Sequence, residues 1–255
     1  KVVAGASIAV ATTVATAGVA AVKSGIDYQK QLANVSTLLT GTEAEISART
    51  AEIGKDILKV SNDTGVETAN LTDGMYQVIS AFGDSKDAMG ILETSAKAAA
   101  AGNATTTDSV NLLSAVMKGY NDVSEESAQK VADLSFATVR LGQTSFSELA
   151  SSIGKVVPLS SALNVQQEEL YGVFATLTGV TGSTAEVATQ YKAVLSGLMT
   201  PSKDMAASLK KLGFSTADAA IKSLGFQGTL EALKGTVHGD EQAMAKLFSS
   251  TEAQT

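Results

Sequence analysis

The chain of 255 residues is 44% hydrophobic but only 5% aromatic and has no Trp, so a core of this length has to be built from Ala, Val, Leu and Ile. Its formal charge of −7 and its scattered 19 basic residues, with Lys210 and Lys211 the one adjacent pair, exclude a dedicated nucleic-acid surface. Zero cysteines exclude disulfides, thiolate catalysis and zinc sites of the Cys type, while only two prolines leave long stretches open to helix.

Val2 to Val22 is a run without a charge, held between Lys1 and Lys23. As a helix at 1.5 Å per residue it spans roughly 30 Å, about the thickness of a bilayer core. Its Ala, Gly, Ser and Thr make it less hydrophobic than a Leu-rich membrane span, and a signal peptide is the least fitting of the targeting readings. A seam at Val10, Val14, Ala17, Ala21, Ser24 and Tyr28 continues through Leu32, Val35 and Leu39 in steps of three and four. That is the pattern of a helix lying along a partner helix. Three readings therefore compete for the segment. A buried or self-associating helix leads, a segment that enters a membrane comes second, and a strand comes last, on the frequency of Val and Thr.

After Gly41 the chain repeats one grammar, in which a glycine ends a helix and a Ser, Thr or Asp cap soon opens the next. Thr42 with Glu45 opens a helix along Ile46, Ile53 and Ile57 or Leu58 that closes near Gly65. Further helices are expected at about Thr68 to Phe82, Ser85 to Ala101, Thr106 to Tyr120, Ser124 to Leu141 and Ser145 to Val157. The second half continues with Gln166 to Val180, Ser183 to Thr200 and Ser202 to Leu212. Short helices at about Thr216 to Leu224, Thr229 to Val237 and Asp240 to Ser250 complete the series. The segments do not share matching residues, which argues against a solenoid. The expected fold is all-α, a multi-helix bundle of short helices preceded by a long apolar N-terminal helix. Its expected organisation is an apolar self-association helix over 1–40, a helical core over 41–212 and a short-helix subdomain over 213–255. The start at Lys1 without an initiator Met points to a piece of a longer protein.

Phe136 to Pro158 condenses this grammar into one helix pair. Apolar Phe136, Val139 and Leu141 close a helix, and Gly142 is suited to a left-handed residue that ends it. Ser145 and Glu148 have the spacing of a capping box, so a second helix starts there. Its apolar face is Phe146, Leu149, Ile153 and Val156 or Val157, until Pro158 stops it.

Residues that tempt a catalytic reading have structural explanations. The one histidine, His238, has Asp240 nearby but no second His, no Cys and no G-x-S-x-G to complete a motif, so it reads as a solvent-facing or capping residue. The pairs Glu125–Glu126 and Glu168–Glu169 sit at first-turn positions, where negative charge favours the helix dipole. Adjacent residues on one helix also point in different directions, unlike carboxyls that flank a sugar. Ser61 to Gly65 is oxygen-rich but lacks the ligand spacing of a calcium loop, and no phosphate-binding glycine loop occurs. Most of the aromatics, including Phe82, Phe136, Phe146, Phe174, Phe214, Phe226 and Phe248, fall at apolar-periodic positions and are expected in the core. No catalytic residue, cofactor or metal site is expected.

The run from Phe136 to Pro158 closely resembles a stretch of the phage tail tape measure protein family, also called minor tail proteins. The resemblance continues in order through Asp63 to Val66, Leu198 to Lys203 (LMTPSK), Leu212 to Phe214 (LGF) and Leu247 to Ala253 (LFSSTEA), and covers the chain from about Ile26. It implies a structural protein that lies extended in the lumen of a tail tube, sets tail length and leaves ahead of the genome. It also implies partners: further copies, tail tube and tail tip proteins, and tail assembly chaperones, with no sequence-specific nucleic acid and no catalytic residues. The implied location is the virion tail, with the host cytoplasm during assembly. The uncharged segment adds an alternative, a conduit through the host inner membrane.

Overall fold

The computed structural model describes residues 19–254, and they form helices and turns with no strand among them. The helices are α1 (Val19–Ser36), α2 (Glu43–Thr64), α3 (Thr68–Phe82), α4 (Ala88–Gly102), α5 (Thr106–Gly119), α6 (Glu125–Leu141) and α7 (Phe146–Ser152). After a 3-10 turn at Ile153–Lys155 come α8 (Val157–Ala162), α9 (Gln167–Thr181), α10 (Thr184–Met199) and α11 (Lys203–Lys211). The last three are α12 (Ala217–Thr236), α13 (Glu241–Leu247) and α14 (Thr251–Gln254). Of these described residues, those up to Val110 form one compact unit and those from Asn111 another, a division that falls inside α5. On either side of the positions 40/41 and 212/213, α1 packs on α2 and α3, and α11 packs on α12 and α13.

In the first unit each helix buries one stripe. Ile53, Ile57 and Val60 of α2, Leu71, Met75 and Val78 of α3, and Ile91 and Leu92 of α4 recur at helical spacing and are closed to solvent. Leu58 is 46% exposed, so Ile57 is the inward residue of that pair. The Thr42–Glu45 capping box starts α2, and Gly65 ends it at φ 72 in the left-handed region. Arg49 grips Asp84 in the α3–α4 turn at 2.7 and 2.9 Å and Glu52 at 2.7 Å, a partly exposed cluster that contributes roughly 1 kcal/mol or less.

The later part of the expected self-association seam, Tyr28 to Leu39, packs inside this unit. Leu32, Val35 and Leu39 are buried, and the Tyr28 hydroxyl donates to the Gly54 carbonyl at 2.6 Å. Gly54 matters because a Cβ there would stand 2.9 Å from Leu32 Cδ1. Tyr28, Leu32, Val35 and Leu39 thus pack α1 within its own unit. Val10, Val14 and Ala17, the Ala21 side chain and most of the expected long apolar helix lie outside the described residues.

The second unit is built on α9 and α10. Helix α9 packs on α6 and α10, and α10 also packs on α7, α12 and α14. Its core combines Phe146, Leu149, Leu170, Tyr171, Phe174, Tyr191, Leu195 and Phe226. Of the seven phenylalanines expected inside, Phe146, Phe174, Phe226 and Phe248 are buried, whereas Phe82, Phe136 and Phe214 are half-buried.

Eight of the buried hydroxyls are accommodated within their own helices. Thr50, Thr72, Ser95, Ser135, Thr138, Ser160, Thr178 and Thr229 are all buried, and each donates to the carbonyl four residues earlier at 2.6 to 3.0 Å. In the second unit the Ser135 hydroxyl also meets that of Tyr171 at 3.1 Å, and the Ser160 hydroxyl that of Tyr191 at 3.3 Å.

Burial is the main force pushing the phenols of Tyr120, Tyr171 and Tyr191 above their ordinary value of 10.0. A folded value above the unfolded one favours the native state fully below pH 10 and progressively less as pH rises beyond it. Ultraviolet titration should show these phenols ionising only with alkaline unfolding, and the Tyr171→Phe chain should lose less stability per pH unit above 10. If all five tyrosines ionised near pH 10 in the folded chain, the buried cluster would be disproved.

Candidate functional site

The helix pair around Gly142 has no open chemistry. Ser145 donates its backbone N–H to Glu148 Oε2 at 2.8 Å and accepts the Glu148 N–H on its hydroxyl at 3.3 Å, which closes a capping box at the start of α7. Phe146, Leu149, Ile153, Val156 and Val157 are all buried, and the Phe146 ring stacks on Phe136 at 5.2 Å. Leu141 is 70% exposed and does not join this face.

Two expectations for this run are corrected. Gly142 is extended, φ −106 and ψ −176, rather than left-handed. Glycine is required there by proximity, because a Cβ would collide with the Thr178 hydroxyl and lie 2.9 Å from the Ala175 carbonyl oxygen of α9. Pro158 does not stop a helix. The preceding helix has already ended at Ser152 and passed through the 3-10 turn, and Pro158 stands in the first turn of α8. In a first turn the missing N–H has no partner to lose.

Of the other residues weighed for chemistry, His238 is exposed in the turn before α13, with φ 54 and its N–H donating to the Gly235 carbonyl. Glu125 and Glu126 lie in the first turn of α6. Among the described residues no group of three or more His, Cys, Asp or Glu is placed to hold a metal ion.

Glu168 and Glu169 are in the first turn of α9, and both reach further. Glu168 pairs with Lys130 at 2.7 Å, which is the main cause holding its carboxyl below the usual range. Glu169 Oε1 accepts the N–H of Phe226 at 2.7 Å. Gly225 interrupts α12 with φ 76 and ψ 171, and a Cβ there would sit 2.7 Å from the same oxygen. A carboxylate from α9 thus caps the second half of α12 across 57 positions of sequence.

Sequence reasoning placed the restart of this helix at Thr229. The available signal was negative: the residue before Phe226 is glycine, and no local Ser, Thr, Asp or Asn is positioned to cap it.

Beside this cap lies a groove of about 640 Å³ between α9, α10, α12 and α14. Its floor is Tyr191 and Phe226, whose rings meet edge to face at 5.4 Å. Val173, Leu177, Val194 and Leu230 line its walls, and Glu168, Glu169, Glu231 and Glu252 also line it, with no Lys or Arg. Thr176, Gln190 and Gln227 are its other polar lining residues.

The family model described as phage-related minor tail protein matches residues 54–250. No curated protein and no solved structure matches the chain. The matched stretch includes the Gly142 helix pair and the Glu169 cap and begins beyond the uncharged N-terminal run.

Urea denaturation of Gly142→Ala and Pro158→Ala separates the two roles assigned above. Gly142→Ala forces a methyl group against backbone and should cost about 1–3 kcal/mol. Pro158→Ala should cost about 1 kcal/mol or less, through the freedom it gives the unfolded chain. The reverse ranking would sink both assignments.

Proposed function

The chain belongs to the phage-related minor tail protein family, structural proteins of a phage tail, and we propose that within that role it is part of the tape measure. On this reading a longer protein lies extended in the tail tube, sets the length to which the tube grows and leaves ahead of the genome. The ordered series LMTPSK, LGF and LFSSTEA following the Gly142 helix pair carries the reading, supported by the family match over 54–250. The role is structural and needs no catalysis or cofactor. Its partners are tail tube and tail tip proteins and assembly chaperones, and its places are the virion tail and, during assembly, the host cytoplasm.

The uncharged run before Lys23 favours a second, compatible role. Val10, Val14, Ala17 and Ala21 join copies during assembly, and the same run enters the host inner membrane during infection. No helix among the described residues is long and apolar enough to cross a membrane, so this role rests on residues 2–22 alone.

An in-frame deletion of about 100 residues in the parent gene, outside the stretch matched by the family, should shorten tails by up to ~150 Å if the deleted part is helical. Unchanged tail length in electron micrographs would refute the tape measure reading. For the second role, a chain starting at Ile26 should sediment as an assembly of fewer copies than the full chain and release less dye from anionic liposomes. An equal number of copies removes self-association from this segment, and equal or absent leakage removes the membrane role.

A further inference from the structure

The groove over Tyr191 and Phe226 contains a carboxylate oxygen that still lacks a donor. Glu169 Oε1 is engaged by Phe226, while Oε2 is buried and has no hydrogen-bond partner. A buried carboxylate oxygen is costly to leave unpaired, and a cationic N–H is its strongest complement. The lining offers none, since it has four glutamates and no Lys or Arg. Lys130 is already held by Glu168 at 2.7 Å, and the amides of Gln190 and Gln227 are held by Glu186 and Glu231.

The apolar part of the groove has the layout that receives a helix face. Val173 and Leu177 stand one turn apart on α9, with Val194 on α10 and Leu230 on α12 across from them, all half-buried. Apolar side chains at i, i+3 or i+4, and i+7 would fill such walls, while Lys or Arg stems flanking them would cover apolar surface and place their charges on the acidic rim. An acidic or neutral ligand gains nothing from four carboxylates.

We propose that this groove docks a basic amphipathic helix of another protein, whose Lys or Arg side chains pair with exposed rim carboxylates such as Glu231. The proposal goes beyond the tape measure reading and does not rest on it.

The test is fluorescence anisotropy of the whole 255-residue chain with a labelled helical peptide of about 18 residues, built of Leu on one face and Lys on the other. A scrambled peptide of the same composition is the control. The amphipathic peptide should bind about tenfold or more tighter than the scrambled one. Affinity should fall with salt and drop by about tenfold in Val173→Lys and in Glu231→Lys. Glu231 is exposed, so Glu231→Lys keeps the test valid if Val173→Lys does not fold. Leu58→Lys, an exposed site in the first unit, should leave binding unchanged. Equal binding of the two peptides, no binding, or an affinity untouched by both groove substitutions would each overturn the proposal.

Discussion

The return of a hydroxyl proton to the helix that carries it underlies the rest of this fold. A chain with few aromatics and much Ala, Ser and Thr has to bury polar side chains if its helices are to approach closely. Burying an unpaired hydroxyl costs on the order of 1–3 kcal/mol. Thr50, Thr72, Ser95, Ser135, Ser160, Thr178 and Thr229 avoid that cost by donating to the carbonyl one turn back. They then present mainly a methylene or methyl to the neighbouring helix. Among the described residues, the hydroxyls of Ser109, Ser127 and Tyr120 are buried without a hydrogen-bond partner.

Close approach follows from this economy of size. Gly142 lets α6 end against the backbone of α9 at Ala175, and Gly54 lets Leu32 of α1 lie on α2. The larger residues are then concentrated where α9, α10 and α12 meet. There Phe174, Tyr191 and Phe226 form a chain of edge-to-face rings, at 6.3 and 5.4 Å. The groove sits above that chain because two half-buried walls flank rings already packed from below. The apolar surface it leaves is rimmed by charge of a single sign.

Local signals made much of this legible. The Ser145–Glu148 and Thr42–Glu45 boxes and the Thr68 to Phe82 helix could be read from spacing, since caps and apolar periods are short-range properties. Errors arose where one residue type serves two geometries. Proline at a helix boundary fits a stop or a first turn, and only the early end of α7 at Ser152 decides for Pro158. Glycine fits a left-handed turn or a close contact, and only Ala175 and Thr178 on a distant helix decide for Gly142. The Tyr28 to Leu39 seam has a helical period, but such a stripe does not state whose helix it meets, and Leu32, Val35 and Leu39 are buried within their own unit. The groove was invisible for the same reason, being assembled from four helices between Glu168 and Ala253.

The cap at Gly225 makes the second half of α12 a conditional element. Most of these helices are started by a residue adjacent in sequence, so their first turns remain satisfied whatever their neighbours do. The turn at Phe226 instead takes its acceptor from α9. Any motion that draws α9 away strips that turn of its cap and removes the Val173 and Leu177 wall at the same moment. Helix continuity and groove shape in this unit are therefore one variable, controlled by the position of a single carboxylate.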